Sequence, residues 1–349
     1  MIQARPLHAR VEAASQRRVL LMLAAMLGAI GVAIASPRAH AAADITYVST
    51  AGTDNPDCSA AAPCRTINAA LSSTNAGGQV ILTTSGPYDA ATITQAVSIV
   101  APADVYAIVN AFGAPAITVN APGANVLLRG IAVANQALGT VGVNVLAAQQ
   151  LNIENVSIYG FDRRGTRGLS VKPGSAVNIT LSRCQFRNDA TALYFQGTPD
   201  APVTAVVRDA VVTGGSIGID VREDASAVVF DTAVSGTDNT GVNVQPTVAG
   251  RFARLSLYRV SVAHIDGTAM YVGDDAGISI TNVNASRIEF SQTGLRAGTL
   301  STTRLMGSTI AENIVGVDYA PGALVESIGN NVIRGNRANG DNPQYFSPQ

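Results

Sequence analysis

Residues 168–195 read GLSVKPGSAVNITLSRCQFRNDATALYF, and the fold is decided by what this stretch repeats. After Gly168 come Leu169, Ser170 and Val171; after Ala192 come Leu193, Tyr194 and Phe195. Each is a small residue, then apolar, any, apolar. The same unit begins at Val143, Leu169, Leu193, Ile219, Val242, Met270, Leu295 and Val317, with intervals of 26, 24, 26, 23, 28, 25 and 22 residues. A second unit keeps the same beat, its last apolar residue falling at Val133, Ile158, Phe186, Val212, Val234, Val262, Ile288, Ile310 and Ile333. A fixed period of this size marks a repeat architecture.

Within both units the alternation has a period of two, and no helical stripe of any length lies between them, so the repeats are strands. Parallel strands need crossovers, and here each crossover is short and made of further strand. The chain is therefore expected to coil as an all-β, single-stranded right-handed parallel β-helix. The bends support this reading. Three positions before each last apolar residue stand Gly130, Asn155, Arg183, Asp209, Asp231, Arg259, Ala285, Gly307 and Asn330. Six of these nine are Gly, Asn or Asp, the types that tolerate a left-handed backbone.

The same alignment assigns two residues that would otherwise attract attention. Cys184 falls in the inward slot of Val156 and Val260 and is expected to be a buried free thiol. His264 falls two residues past Val262, in a bend occupied elsewhere by Asn135, Gly160, Asn188, Gly214, Gly236 and Gly335, which makes it a turn residue.

A solenoid needs covered ends. Residues 66–71 read as a short helix with Thr66 as N-cap and Ile67, Ala70 and Leu71 on its apolar face, placed to plug the first coil. The expected division is residues 42–78 for entry strand, loop and cap helix, 79–335 for the coils and 336–349 for a polar tail.

The chain opens with an export signal. Arg10, Arg17 and Arg18 precede an apolar run from Val19 to Ala35, and Ala39, His40 and Ala41 form a small-x-small cleavage site. Residues 1–41 are read as a signal peptide cleaved after Ala41, giving a secreted or periplasmic product with no membrane-spanning segment. General export is favoured over a twin-arginine route, because the residues around Arg17 and Arg18 fit the latter pattern loosely. Export puts Cys58 and Cys64 in an oxidising compartment, where they are read as a disulfide closing a small polar loop. Beyond the signal 18 basic residues face 23 acidic ones, which removes the electrostatic reason to bind nucleic acid. His264 is the sole histidine left, so mechanisms needing several histidines have too few residues.

Tyr47-Val48-Ser49, Gly52-Thr53-Asp54, Ala62-Pro63-Cys64 and Arg65-Thr66-Ile67, followed by such coils, resemble the entry segment of pectate-lyase-like right-handed β-helix proteins. The resemblance implies the fold and a link to polysaccharide, with activity left open. It implies for a lyase an acidic site holding Ca²⁺ against a uronate and an Arg or Lys base; Lys172 is the single lysine, and no tight acidic cluster aligns. It implies for a galacturonan hydrolase an acidic pair such as Asp274-Asp275. That pair lacks the family's companion motifs and stands in a turn slot filled elsewhere by Pro173-Gly174 and Pro321-Gly322.

Alternation also defines an outward row: Asn144, Ser170 with Lys172, Tyr194 with Gln196, Asp220 with Arg222, Asn243 with Gln245, Tyr271, Arg296 and Asp318. Tyr194, Gln196, Asp220, Arg222, Asn243, Tyr271 and Arg296 are the candidate glycan contacts, and Asp220, Arg222, Lys172, Asp274 and Asp275 the candidate catalytic residues. With no complete catalytic set, no resident cofactor and no metal site are expected, Ca²⁺ entering only under the lyase alternative. The leading reading is a non-catalytic, glycan-contacting scaffold outside the cytoplasm; the alternative is a lyase or hydrolase of a uronic-acid polymer.

Overall fold

The computed structural model describes residues 42–273 and 276–345. The expected signal peptide and the pair Asp274-Asp275 lie outside the described residues. The described chain winds through three parallel sheets in the repeating order A, B, C, with thirteen, eleven and eleven strands respectively among the described residues. One coil shows the unit: Val177–Ser182 in sheet A, Gln185–Arg187 in sheet B and Thr191–Phe195 in sheet C. This is a right-handed parallel β-helix, as the repeat predicts.

The register follows the sequence period. In sheet C the first apolar residues pair in one continuous ladder, Val143, Leu169, Leu193, Ile219, Val242, Met270, Leu295 and Val317. In sheet B the run from Val133 through Phe186 and Val262 to Ile333 does the same. Most of these side chains have no solvent exposure, among them Val143, Leu193, Phe186 and Val262. Burying each such residue stabilises by about 1.5–3 kcal/mol, so the core is a set of columns that reward this one register.

The small residue before each sheet C unit also has a cause. A Cβ on Gly142 would lie 2.5 Å from the carbonyl oxygen of Gly168, and one on Gly218 the same distance from that of Gly241. Ala192 and Ala269, both buried, fill the same slot in other coils.

All nine bend residues between sheets A and B have positive φ, from 46° at Ala285 to 74° at Gly130. Arg183, Arg259 and Ala285 share the conformation with Gly, Asn and Asp although their side chains disfavour it. Packing on both flanks decides the backbone there. At the B to C bend Gly160, Asn188, Gly214, Gly236, His264 and Gly335 are also left-handed. His264, with φ of 56°, stacks its ring on Phe290 at 5.0 Å, as a turn residue would. Asn135 departs from the pattern. It remains inside strand Ala132–Ala137, its Oδ1 accepts from the Gly139 amide at 2.8 Å, and the left-handed residue is Leu138.

At the start, strand Ala43–Val48 joins sheet A, and the Cys58–Cys64 disulfide closes the loop behind it. Helix α1 (Ile67–Ser73) is capped by Thr66, whose hydroxyl accepts from the Ala69 amide at 3.2 Å. Its Ile67, Ala70 and Leu71 enter the core. Asp54 anchors the cap by accepting from the Arg65 and Thr66 amides, each at 2.8 Å. Cys184 is a buried free thiol. At the other end the polar segment after Gly335 adds two short strands, Ala338–Gly340 and Gln344–Tyr345, which pair with the preceding coil in sheets C and A. No helix among the described residues is long and apolar enough to cross a membrane.

The interior changes character along the axis. The inward positions of sheet A are Val203, Ala205 and Val207 in one coil but Ser279 and Thr281, then Ser301 and Thr303, in later ones, all buried. The hydroxyls of Thr281 and Thr303 have no hydrogen-bond partner.

Candidate functional site

The row on the outer face of sheet C is in register: Asn144, Ser170, Tyr194, Asp220, Asn243, Tyr271, Arg296 and Asp318 pair in succession. Each step is about 4.8 Å, so Tyr194 and Tyr271 are separated by about 14 Å along the axis. An outer face ordinarily meets water. Here the middle of the row does not: Ser170, Asp220 and Asn243 are 3%, 3% and 4% exposed.

The side chains cover one another because they are bonded to one another. Arg222 donates from Nε to Asp220 Oδ1 at 2.7 Å, and Asn243 Nδ2 donates to the same oxygen at 2.8 Å. Arg222 Nη1 reaches the Gln245 carbonyl at 3.2 Å. One coil earlier the Tyr194 hydroxyl donates to Gln196 Oε1 at 2.7 Å, and Gln196 Nε2 donates to Glu223 Oε2 at 2.9 Å. The Arg167 guanidinium lies 3.8 Å from the centre of the Tyr194 ring.

Glu223 links this network to the next coil. Its Oε1 accepts from the Thr247 amide at 2.6 Å and from the Thr247 hydroxyl. Arg251 Nη1 pairs with Asp224 Oδ2 at 3.2 Å. The segment between Gln245 and Arg251 belongs to the longest repeat interval, the 28 residues from Val242 to Met270, and two acids of the preceding coil hold it in place.

Charge follows environment. Burial pushes the Asp220 carboxyl upward from its ordinary value, while Arg222 and Asn243 pull it back. Burial acts likewise on Glu223, but the hydrogen bonds from Thr247 and Gln196 outweigh it and hold that carboxyl below the usual range. Burial also raises the Tyr194 hydroxyl, opposed by Arg167.

Beyond the network the face opens into a groove of about 400 Å³. Arg222, Asn243 and Gln245 line it from the network, and Tyr271 and Arg296 from the next two coils. Thr240, Thr268 and Asn239, near the starts of those strands, complete the polar lining. Arg296 lies 5.8 Å from the Tyr271 ring centre and 3.8 Å from Asp318 Oδ2.

The structure thus divides the candidate residues. Asp220, Arg222 and Asn243 come together in one cluster, with Tyr194 and Gln196 in its neighbour; Tyr271 and Arg296 lie in the open groove. Lys172 is exposed and belongs to neither. Among the described residues no group of three or more His, Cys, Asp or Glu is arranged to hold a metal ion. Sequence reading missed Glu223, which follows Arg222 at a bend and is only 3% exposed. It also missed Thr240 and Thr268, which stand just before the small residue of their units. A threonine column at that position, with Thr191 and Thr293, was the available signal.

Chemically, Asp220 Oδ1 and both Glu223 oxygens are engaged by donors, which suits a fixed framework better than a base or nucleophile awaiting substrate. The open groove offers amide, hydroxyl and guanidinium donors beside one aromatic ring, a set suited to hydroxyl-rich ligands.

The fold aligns with the crystal structure of pectate lyase Pel9A over 82% of this chain and 79% of that one, with 12% identity and a TM-score of 0.61. Dettilon tailspike protein aligns over 87% and 68%, with 12% identity and a TM-score of 0.48. The periplasmic alginate epimerase AlgG aligns over 78% and 77%, with 11% identity and a TM-score of 0.42. At these identities the likeness to pectate lyase Pel9A is one of fold, the right-handed parallel β-helix. No protein-family model and no curated protein sequence matches the chain.

Proposed function

We propose that this protein is an exported β-helix that contacts a polysaccharide along sheet C without turning it over. The observation that carries the reading is the division of the outward row. Asp220, Arg222 and Glu223 are bound into a framework, and the neighbouring face is an open polar groove at Tyr271 and Arg296. A solenoid provides such a face without needing a mobile or strained site. The shared fold with a pectate lyase is in keeping with a carbohydrate ligand. Export is supported by the leader pattern of residues 1–41 and by the Cys58–Cys64 disulfide, which suits a periplasmic or extracellular compartment.

The test is a glycan array with purified mature protein, followed by turnover assays on every bound glycan and on polygalacturonate and alginate. Binding without release of product is expected. Turnover of any of these polymers would replace this reading with the enzymatic one. That alternative has one observation in its favour: burial raises the Asp220 carboxyl toward the range of a general acid.

A further inference from the structure

The charges around the groove are arranged in pairs. Arg222 is matched by Asp220 at 2.7 Å, Arg296 by Asp318 at 3.8 Å, and Arg251, on the segment leading away from Gln245, by Asp224 at 3.2 Å. The remaining polar side chains of the lining, Asn239, Thr240, Asn243, Gln245, Thr268 and Tyr271, are uncharged. Glu223 adds a further negative charge behind the network, and the Gln196 and Thr247 side chains that donate to it are neutral. Lys172, an exposed cation of the row, and Arg167, which lies over the Tyr194 ring, are both outside the groove lining.

We infer that the groove selects an uncharged, hydroxyl-rich glycan and discriminates against polyuronates and other anionic polymers. This rests on the glycan-contact reading above and specifies its ligand. A polyuronate brings one carboxylate per sugar unit. Laid across the coils between Arg222 and Arg296, it would meet one guanidinium hydrogen-bonded to a buried carboxylate, another facing Asp318 at 3.8 Å, and carboxylates of its own sign. Each new ion pair would share its guanidinium with a resident carboxylate, so the attraction is offset by repulsion from Asp220 and Asp318, with Glu223 adding to it from behind. Neutral sugar hydroxyls incur no such penalty. They can accept from Gln245, Asn239 and Arg296, donate to threonine and amide oxygens, and lie against the Tyr271 ring.

The experiment is calorimetric titration of the mature protein with xylo-, manno- and gluco-oligosaccharides and with oligogalacturonate, at about 20 and about 300 mM NaCl, since salt screens ionic contacts and leaves neutral ones unchanged. At least one neutral oligosaccharide is expected to bind with affinity constant within about twofold between the two salts, and oligogalacturonate about tenfold more weakly. Asp318→Asn, a change at a half-exposed surface site, frees Arg296 and is expected to strengthen oligogalacturonate binding at low salt only. Asp220→Asn repeats the test at Arg222 with the side-chain shape retained. Tighter binding of oligogalacturonate than of every neutral ligand, weakened at high salt, would overturn the inference and leave the glycan-contact reading standing. Binding of none of the probes, together with a blank glycan array, would overturn both.

Discussion

Arg222 and Asp220, two residues apart on one strand and its following turn, are joined by a 2.7 Å hydrogen bond from Nε to Oδ1, with Asp220 4% and Arg222 19% exposed at the side chain. Val221 between them points into the core. Of two charges that alternation aims at solvent, Asp220 is therefore buried and Arg222 covers it from the groove side, and the pair braces Asn243 and Gln245 on the next coil.

The first prediction follows from that burial. Asp220→Ala removes the buried carboxylate that accepts from both Arg222 and Asn243, and the expected cost is about 2 kcal/mol of unfolding free energy, read by denaturant titration. Arg222→Ala is expected to cost a similar amount. The enzymatic alternative expects something different: lost turnover with stability almost unchanged.

Tyr271 contrasts with that pair. It lines the open groove and is only partly buried. Tyr271→Ala is expected to weaken glycan binding about tenfold, with a loss of stability of about 1 kcal/mol or less, because it removes a ring from a surface site and leaves no buried charge behind. Calorimetry with the glycan found on the array, paired with thermal unfolding, separates the two effects.

Asp189 supplies a pH dependence. It lies at the bend before strand Thr191–Phe195, 1% exposed; its Oδ1 accepts from the Phe161 amide at 3.0 Å, and its Oδ2 has no partner. Burial, reinforced by the charge of Asp162, pushes its carboxyl from 3.8 to about 8. The folded chain therefore holds a proton that the unfolded chain has released over this interval. Stability is expected to fall as pH rises from about 4 to about 8 and to level off above. Asp189→Asn keeps the acceptor for Phe161 and removes the titration. Its melting temperature is expected to decline less than that of the parent protein between about pH 5 and about pH 8.

The paired threonines of the late coils are a stability reserve. Thr281 and Thr303 are neighbours in sheet A, fully buried, and neither hydroxyl has a partner. Thr281→Val and Thr303→Val remove an unsatisfied polar group at nearly constant volume, and each is expected to stabilise by about 1 kcal/mol in denaturant titration.

Ala285 is held at φ of 46° in the column of A to B bends. Ala285→Gly relieves a left-handed conformation that costs a residue with a Cβ about 1–2 kcal/mol, offset in part by the greater freedom of the unfolded chain. The expected net effect is a gain of about 0.5 kcal/mol, with Gly307→Ala, at the same bend one coil on, moving the other way.

Sequence alone determined the architecture: the parallel β-helix, the two apolar ladders, the N-terminal plug helix with its Thr66 cap, the buried thiol of Cys184 and the turn role of His264. All of these depend on a period of two along a strand and a fixed length per coil, and both are properties of neighbouring residues that sequence spacing records directly. Tertiary structure decided what the spacing cannot carry. Alternation aims Asp220, Asn243 and Tyr194 at solvent, yet they are buried, because the groups that cover them come from other coils; Glu223 reaching Thr247, 24 positions later in the chain, is such a contact. Arg183 and Ala285 adopt a backbone their own chemistry disfavours, because the strands on either side are already stacked. Asn135 leaves the bend that its position in the repeat suggests: its side chain accepts from the Gly139 amide, and the left-handed conformation falls at Leu138. The repeat could be read from local preference, but the charge balance of the groove depends on which side chains the stacking brings within 4 Å, and only the folded chain shows that.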